Sequence, residues 1–126
     1  MALGFATLPL MSDARPALLE LHRRLLQAQR VEAERFGGRL TSTELLQAAA
    51  DDLRFSWLKE LSELIAALDQ ARADGDDAGQ DAAIARARQL LVPPDPDTAF
   101  GARYLRALQD HPDVVLAHRD VTAALG

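Results

Sequence analysis

The chain has 126 residues, 48% apolar and 26% charged, with a net charge of −5 and no cysteine. That is one domain's length, enough to bury a core without covalent staples. The lack of cysteine excludes disulfides, thiolate catalysis, Cys-ligated zinc and iron–sulfur clusters, and it fits an intracellular home best.

Met1 to Ser12 is the longest apolar stretch without a charge. It is far shorter than the roughly 20 residues of a membrane span. It has no basic start and Pro9 interrupts it, so it does not read as a signal peptide. Residues 1–12 are expected to form a flexible arm, with Met11 as an alternative start. A single helical domain follows over residues 13–126.

The first helix is expected from Ala14 to Phe36. Ser12 or Asp13 caps it, and Pro16 is tolerated in the first turn. Leu18, Leu21, Leu25 and Ala28 form its apolar stripe, with Leu19, His22 and Leu26 beside them. Gly37-Gly38 ends it. Thr41-Ser42-Thr43-Glu44 reads as a capping box for a short second helix to about Ala50, with Leu40 and Leu45 as a hydrophobic staple. Asp51-Asp52 then suits a turn and a new helix start.

The third helix is expected from Leu53 to Ala73. Trp57, Leu58, Leu61, Leu64, Ile65 and Leu68 make a stripe wider than a coiled-coil seam. Asp74-Gly75-Asp76 marks its exit. The fourth, Asp77 to Val92, is Ala-rich with Ile84, Leu90 and Leu91 as large anchors. Pro93, Pro94 and Pro96 forbid helix and make a stiff linker. The fifth helix, Thr98 to Gln109, carries Phe100, Tyr104, Leu105 and Leu108. The sixth, Asp113 to Leu125, puts Val114, Val115, His118, Val121 and Leu125 on one side. There is no internal repeat. The expected fold is all-α, a five- to six-helix bundle in which helices 1, 3 and 4 are long and form the body. The shorter helices close its ends.

Charge is uneven along this path. Arg15, Arg23, Arg24, Arg30, Arg35 and Arg39 make the first helix basic, and ten acids between residues 40 and 82 make the middle acidic. The two are expected to attract, within one chain or across a dimer. Overall acidity and the scatter of the arginines around the first helix argue against nucleic acid.

The run Phe55-Ser56-Trp57-Leu58-Lys59-Glu60-Leu61-Ser62-Glu63-Leu64-Ile65 with Asp69 has a distinctive text. So does Tyr104-Leu105-Arg106-Ala107-Leu108-Gln109 followed by Pro112-Asp113-Val114-Val115-Leu116-Ala117-His118. Together they resemble a group of small all-helical bacterial proteins of no known activity, over the last two-thirds of the chain. The resemblance implies a helical fold and a bacterial, cytoplasmic origin. It carries over no catalytic residue.

The residues give little sign of catalysis. Di-iron bundles use Glu and His three apart, but Glu20 stands two before His22, and His111 and His118 are separated by a Pro-containing break. No metal site and no cofactor is expected. Glu60 and Glu63 lie opposite the apolar stripe, as a solvated face. There is no nucleophile elbow and no Gly-rich phosphate loop. Ser62 and Asp69 flank the third helix's stripe, where they suit a groove or a hydrogen bond to a neighbouring helix. Trp57, the only Trp, is a core residue or an interface anchor, with Tyr104 and His118 closing beside it.

The expected function is therefore a non-enzymatic protein–protein interaction or regulatory module working through the Trp57 end of the third helix and the Pro-rich connection. The alternative is a small-ligand- or metal-binding bundle with a pocket near His22, Ser62, Asp69 and His118. A homodimer is expected, because the third helix has more apolar face than a small monomer readily covers. No membrane contact is expected.

Overall fold

The computed structural model describes residues 14–126, apart from the side chain of Phe36. Within them the chain is all-α, with no strand. Its helices are α1 (Ala14–Gly37), α2 (Ser42–Asp51), α3 (Lys59–Ala73), α4 (Asp77–Leu91), α5 (Ala99–Asp110) and α6 (Pro112–Leu125). A 3-10 helix, Leu53–Leu58, leads into α3. The arm expected over residues 1–12 and the Ser12 or Asp13 cap lie outside the described residues.

The helix ends follow local chemistry. Gly38, at φ 81°, lets the chain leave α1 through the left-handed region while its N–H donates to the Glu34 carbonyl. The capping box of α2 forms as written: the Glu44 N–H donates to Thr41 Oγ1 at 3.1 Å, and the Thr41 N–H donates to Glu44 Oε1 at 2.9 Å. Gly75, at φ 65°, turns α3 into α4, and the Asp76 carboxylate caps α4 at Gly79. Thr98 caps α5 at Gly101.

One expected boundary is corrected. The third helix does not run unbroken from Leu53, because the first six residues wind as a 3-10 helix. The Asp52 carboxylate accepts the Arg54 N–H at 2.8 Å, and Ser56 Oγ donates to the Leu53 carbonyl at 2.8 Å. These local bonds accompany the tighter i to i+3 winding. The tighter turn sends Phe55 and Leu58 into the core and leaves Leu53 85% exposed.

The core is a continuous cluster. Leu18, Leu21 and Leu25 of α1 meet Leu61, Leu64 and Leu68 of α3, and Val114, Val121 and Leu125 of α6. Each such leucine stabilises the fold by about 1.5–3 kcal/mol relative to exposure. α1 and α3 run antiparallel, with Arg15 opposite Asp69 at one end and Gln29 opposite Trp57 toward the other. α4 folds back on α3 through Ala83, Ala87 and Leu91. These small side chains bring the helices close, so the expected anchors Ile84 and Leu90 are only half-buried.

The sixth helix departs from expectation. It has 14 residues against 15 in α3 and in α4, and it packs along α1 more extensively than any other helix does. It is part of the body, not an end closure. Its inward stripe is Val114, Ala117, Val121 and Leu125; Val115, one residue further round the helix, faces outward.

The homodimer argument also changes. Leu58, Leu61, Leu64, Ile65 and Leu68 are all buried within the chain, so α3 has no uncovered apolar face. Attraction between the basic helix and the acidic middle reduces, among the described residues, to the ion pair of Arg15 with Asp69. The other paired arginines of α1 mostly serve their own helix: Glu20 takes Arg23 and Arg24, Glu34 takes Arg30 and Glu32 takes Arg35.

Candidate functional site

The 3-10 helix presents Trp57 sideways to the body. Its indole N–H donates to Gln29 Oε1 on α1 at 3.0 Å. Gln29, 7% exposed, is the one buried polar residue among those described. The Trp57 ring leans on Phe100 of α5, with centroids 5.6 Å apart. Phe100 stacks on Tyr104 at 5.4 Å, one helical turn along, and Tyr104 meets His118 of α6 at 5.4 Å.

This aromatic line ends in a hydrogen bond of 2.6 Å between the Tyr104 hydroxyl and His118 Nδ1. Burial pushes the Tyr104 phenol well above its ordinary range and holds His118 below its own. Both groups are therefore neutral near pH 7. No fully buried polar atom lacks a partner among the described residues. The buried phenol proton has no other acceptor among the described residues, so the hydroxyl donates to Nδ1 of the tautomer that carries its proton on Nε2. Tyr104 is wholly buried, and the pair braces α5 against α6.

Trp57 also walls a cavity of about 80 Å³. α1 supplies Ala28, Gln29 and Glu32 to it. α5 supplies Arg103, Arg106, Ala107 and Asp110, and His111 closes the junction to α6. The space equals roughly two or three water volumes. Cofactor and drug pockets are several times larger. Its size matches the end of one side chain.

The charges around it are partly matched. Arg106 lies 3.8 Å from Asp110, and Arg35 lies 3.5 Å from Glu32. Arg103 has no carboxylate within ion-pair distance among the described residues.

Of the six residues singled out from the sequence, Trp57 alone lines the cavity. Tyr104 and His118 are joined to it through Phe100. Ser62 turns its hydroxyl back to the Leu58 and Lys59 carbonyls of its own helix start, at 3.3 and 3.1 Å. Asp69 is bound by Arg15 at the far end of the α1–α3 pair, which holds its carboxyl below the usual range. His22 is half-buried on α1, and burial lowers its pKa. The pocket expected from His22, Ser62, Asp69 and His118 is thus not the cavity that forms: three of the four side chains, Ser62, Asp69 and His118, are consumed in helix-to-self or helix-to-helix bonds.

Sequence reasoning missed Gln29, Arg103, Arg106 and Asp110, and weighed His111 only as a metal ligand. A signal existed, since Arg103, Arg106 and Asp110 stand three and four apart and share one face of α5. No cluster of three or more His, Asp or Glu suited to a metal occurs among the described residues. Nor is any described helix long and apolar enough to cross a membrane. Compared with known proteins, the chain matches no family model, no curated protein and no solved structure.

Proposed function

We propose that the protein is a non-enzymatic interaction or regulatory module, and that it recognises a partner protein on the face where α1, the 3-10 helix and α5 meet. The observation that carries this reading is Trp57: a half-buried aromatic, fixed by Gln29, at the wall of a cavity the size of one side chain. Aromatic and Arg side chains around a small pocket are the chemistry of interface anchors. The bacterial, cytoplasmic setting belongs to the same proposal and rests on the resemblance of the Trp57 and Tyr104 segments. A homodimer also belongs to it, with a changed seat. Since α3 is covered, the seat proposed for a second copy is the pair of most exposed large apolar side chains among the described residues, Leu46 on α2 at 71% and Leu53 beside the α2 exit at 85%.

A photoreactive residue at Ala102, exposed on α5 one position before Arg103, tests the partner reading in the cells that make the chain. The expected result is one discrete adduct, missing when the same residue sits at exposed Glu63 on α3. No adduct, or the same adducts from both positions, overturns it.

A further inference from the structure

We infer that the cavity beside Trp57 is an anion seat, built to take the carboxylate of an acidic side chain from a partner protein. The inference rests on the recognition reading above and names what that surface recognises.

Charge is the first ground. The wall carries two carboxylates, and each has an arginine: Asp110 has Arg106 and Glu32 has Arg35. The lining's own two arginines and two carboxylates balance, but with Arg35 on Glu32 from outside the cavity, Arg103 is the lining arginine left without an ion-pair partner among the described residues. A guanidinium offers five donors in a planar fork that matches a carboxylate.

Gln29 is the second and independent ground. It is more than nine-tenths buried, and its Oε1 is occupied by the Trp57 indole N–H. That bond fixes which way the amide faces. Nothing among the described residues accepts from its Nε2, yet no fully buried polar atom is left without a partner. Since Gln29 lines the cavity, its amide N–H donors open into it. A donor with no acceptor of its own in the protein is matched by an incoming acceptor, not by another donor.

Size selects the source. About 80 Å³ admits a carboxylate and part of its stem, with the Trp57 ring as a wall for the methylenes. It does not admit a nucleotide or a cofactor.

Trp57 is the only Trp, so its emission reports directly on the seat. Hexaglutamate, capped at both ends, is expected to change that emission saturably. Arg103→Gln is expected to weaken the response roughly tenfold or more, the scale of a lost charge-assisted bond. Arg103 is exposed and pairs with nothing described, so the variant keeps its fold, checked by circular dichroism. Added salt weakens binding to the native chain. An equal response to capped hexaglutamine overturns the inference, as does an unchanged response in Arg103→Gln. Saturation by acetate at matched carboxylate concentration overturns the protein source in favour of a free acid. A cross-linked partner at Ala102 with a silent Trp57 sinks this inference and spares the recognition reading; hexaglutamate binding without a cross-linked partner does the reverse.

Discussion

The Tyr104 hydroxyl on α5 and Nδ1 of His118 on α6 lie 2.6 Å apart across a corner of the chain only 14 residues long. The Tyr104 ring is wholly buried, so its hydroxyl depends on that nitrogen. Tyr104→Phe removes the donor and keeps the ring stacked on Phe100. We expect a loss of about 1–2 kcal/mol, since a half-buried acceptor loses its partner. Urea unfolding measures it, and a neutral result would mean that the hydroxyl finds water as readily in the fold.

Burial holds His22 and His118 below their ordinary pKa. Their folded forms therefore resist protonation more than their unfolded forms do. Between the two pKa values the unfolded chain binds more protons, so stability rises with pH in that window. On acidification, the histidine contribution is present above about pH 6.5 and is lost as pH falls through the lower folded values. Carboxylates held low by their partners, such as Glu34 and Glu44, add a second loss only at more acid pH. Urea midpoints taken from pH 7.5 to 5 are expected to fall, and His22→Gln with His118→Gln is expected to flatten that slope.

Trp57→Ala is a poor test of recognition on its own. The ring packs on Phe100 and satisfies Gln29, so its removal is expected to cost about 3 kcal/mol of stability and to leave a buried amide oxygen unpaired. Arg103→Gln is expected to leave the thermal midpoint nearly unchanged. Thermal melts of both variants, side by side, check the separation on which the functional experiments depend.

Gly101 sits where a Cβ would overlap the Asp95 carbonyl oxygen, backbone of the Pro-rich linker. Gly101→Ala is expected to cost about 1–3 kcal/mol, because the linker must move. Gly37 ends α1 with nothing near its Cβ direction. Gly37→Ala is expected to stabilise by about 0.4–1 kcal/mol, by restricting the unfolded chain. Equal effects in chemical denaturation would show that the linker yields freely.

Leu46→Glu with Leu53→Glu decides whether a second copy sits on α2. If a dimer forms there, the pair is expected to weaken it by more than about tenfold in sedimentation equilibrium, because two large apolar side chains leave the interface. A native chain that sediments as a monomer ends the homodimer proposal.

What was legible in the sequence was what adjacent residues decide. The capping box at Thr41 and Glu44 involves four consecutive residues, and it formed as written. The stripe Leu18, Leu21, Leu25 and Ala28 is buried throughout, because helical spacing alone sets which residues share a face. The 3-10 winding before α3 was not legible from the apolar pattern, which runs on through Trp57 and Leu58; the side chains of Asp52 and Ser56 accompany it. The cavity was not legible either. Arg103 and Arg106 sit on the outer side of an amphipathic helix and read as solvated until α5 crosses α1 beside Gln29. Tyr104 and His118 stand out by residue type, but Phe100, which links them to Trp57, has no mark in the sequence beyond being aromatic.

α2 is tied to the body by little: Leu45 is its one buried residue, and its main packing partner is the short 3-10 helix that follows. Its caps fix where it starts and ends, but ten residues with one buried side chain make a marginal helix. It is the segment whose amides should exchange with solvent first, and the stretch from Leu46 to Leu53 is where a protease should cut the native chain before anything else opens. The remaining helices would stay folded around the nicked segment.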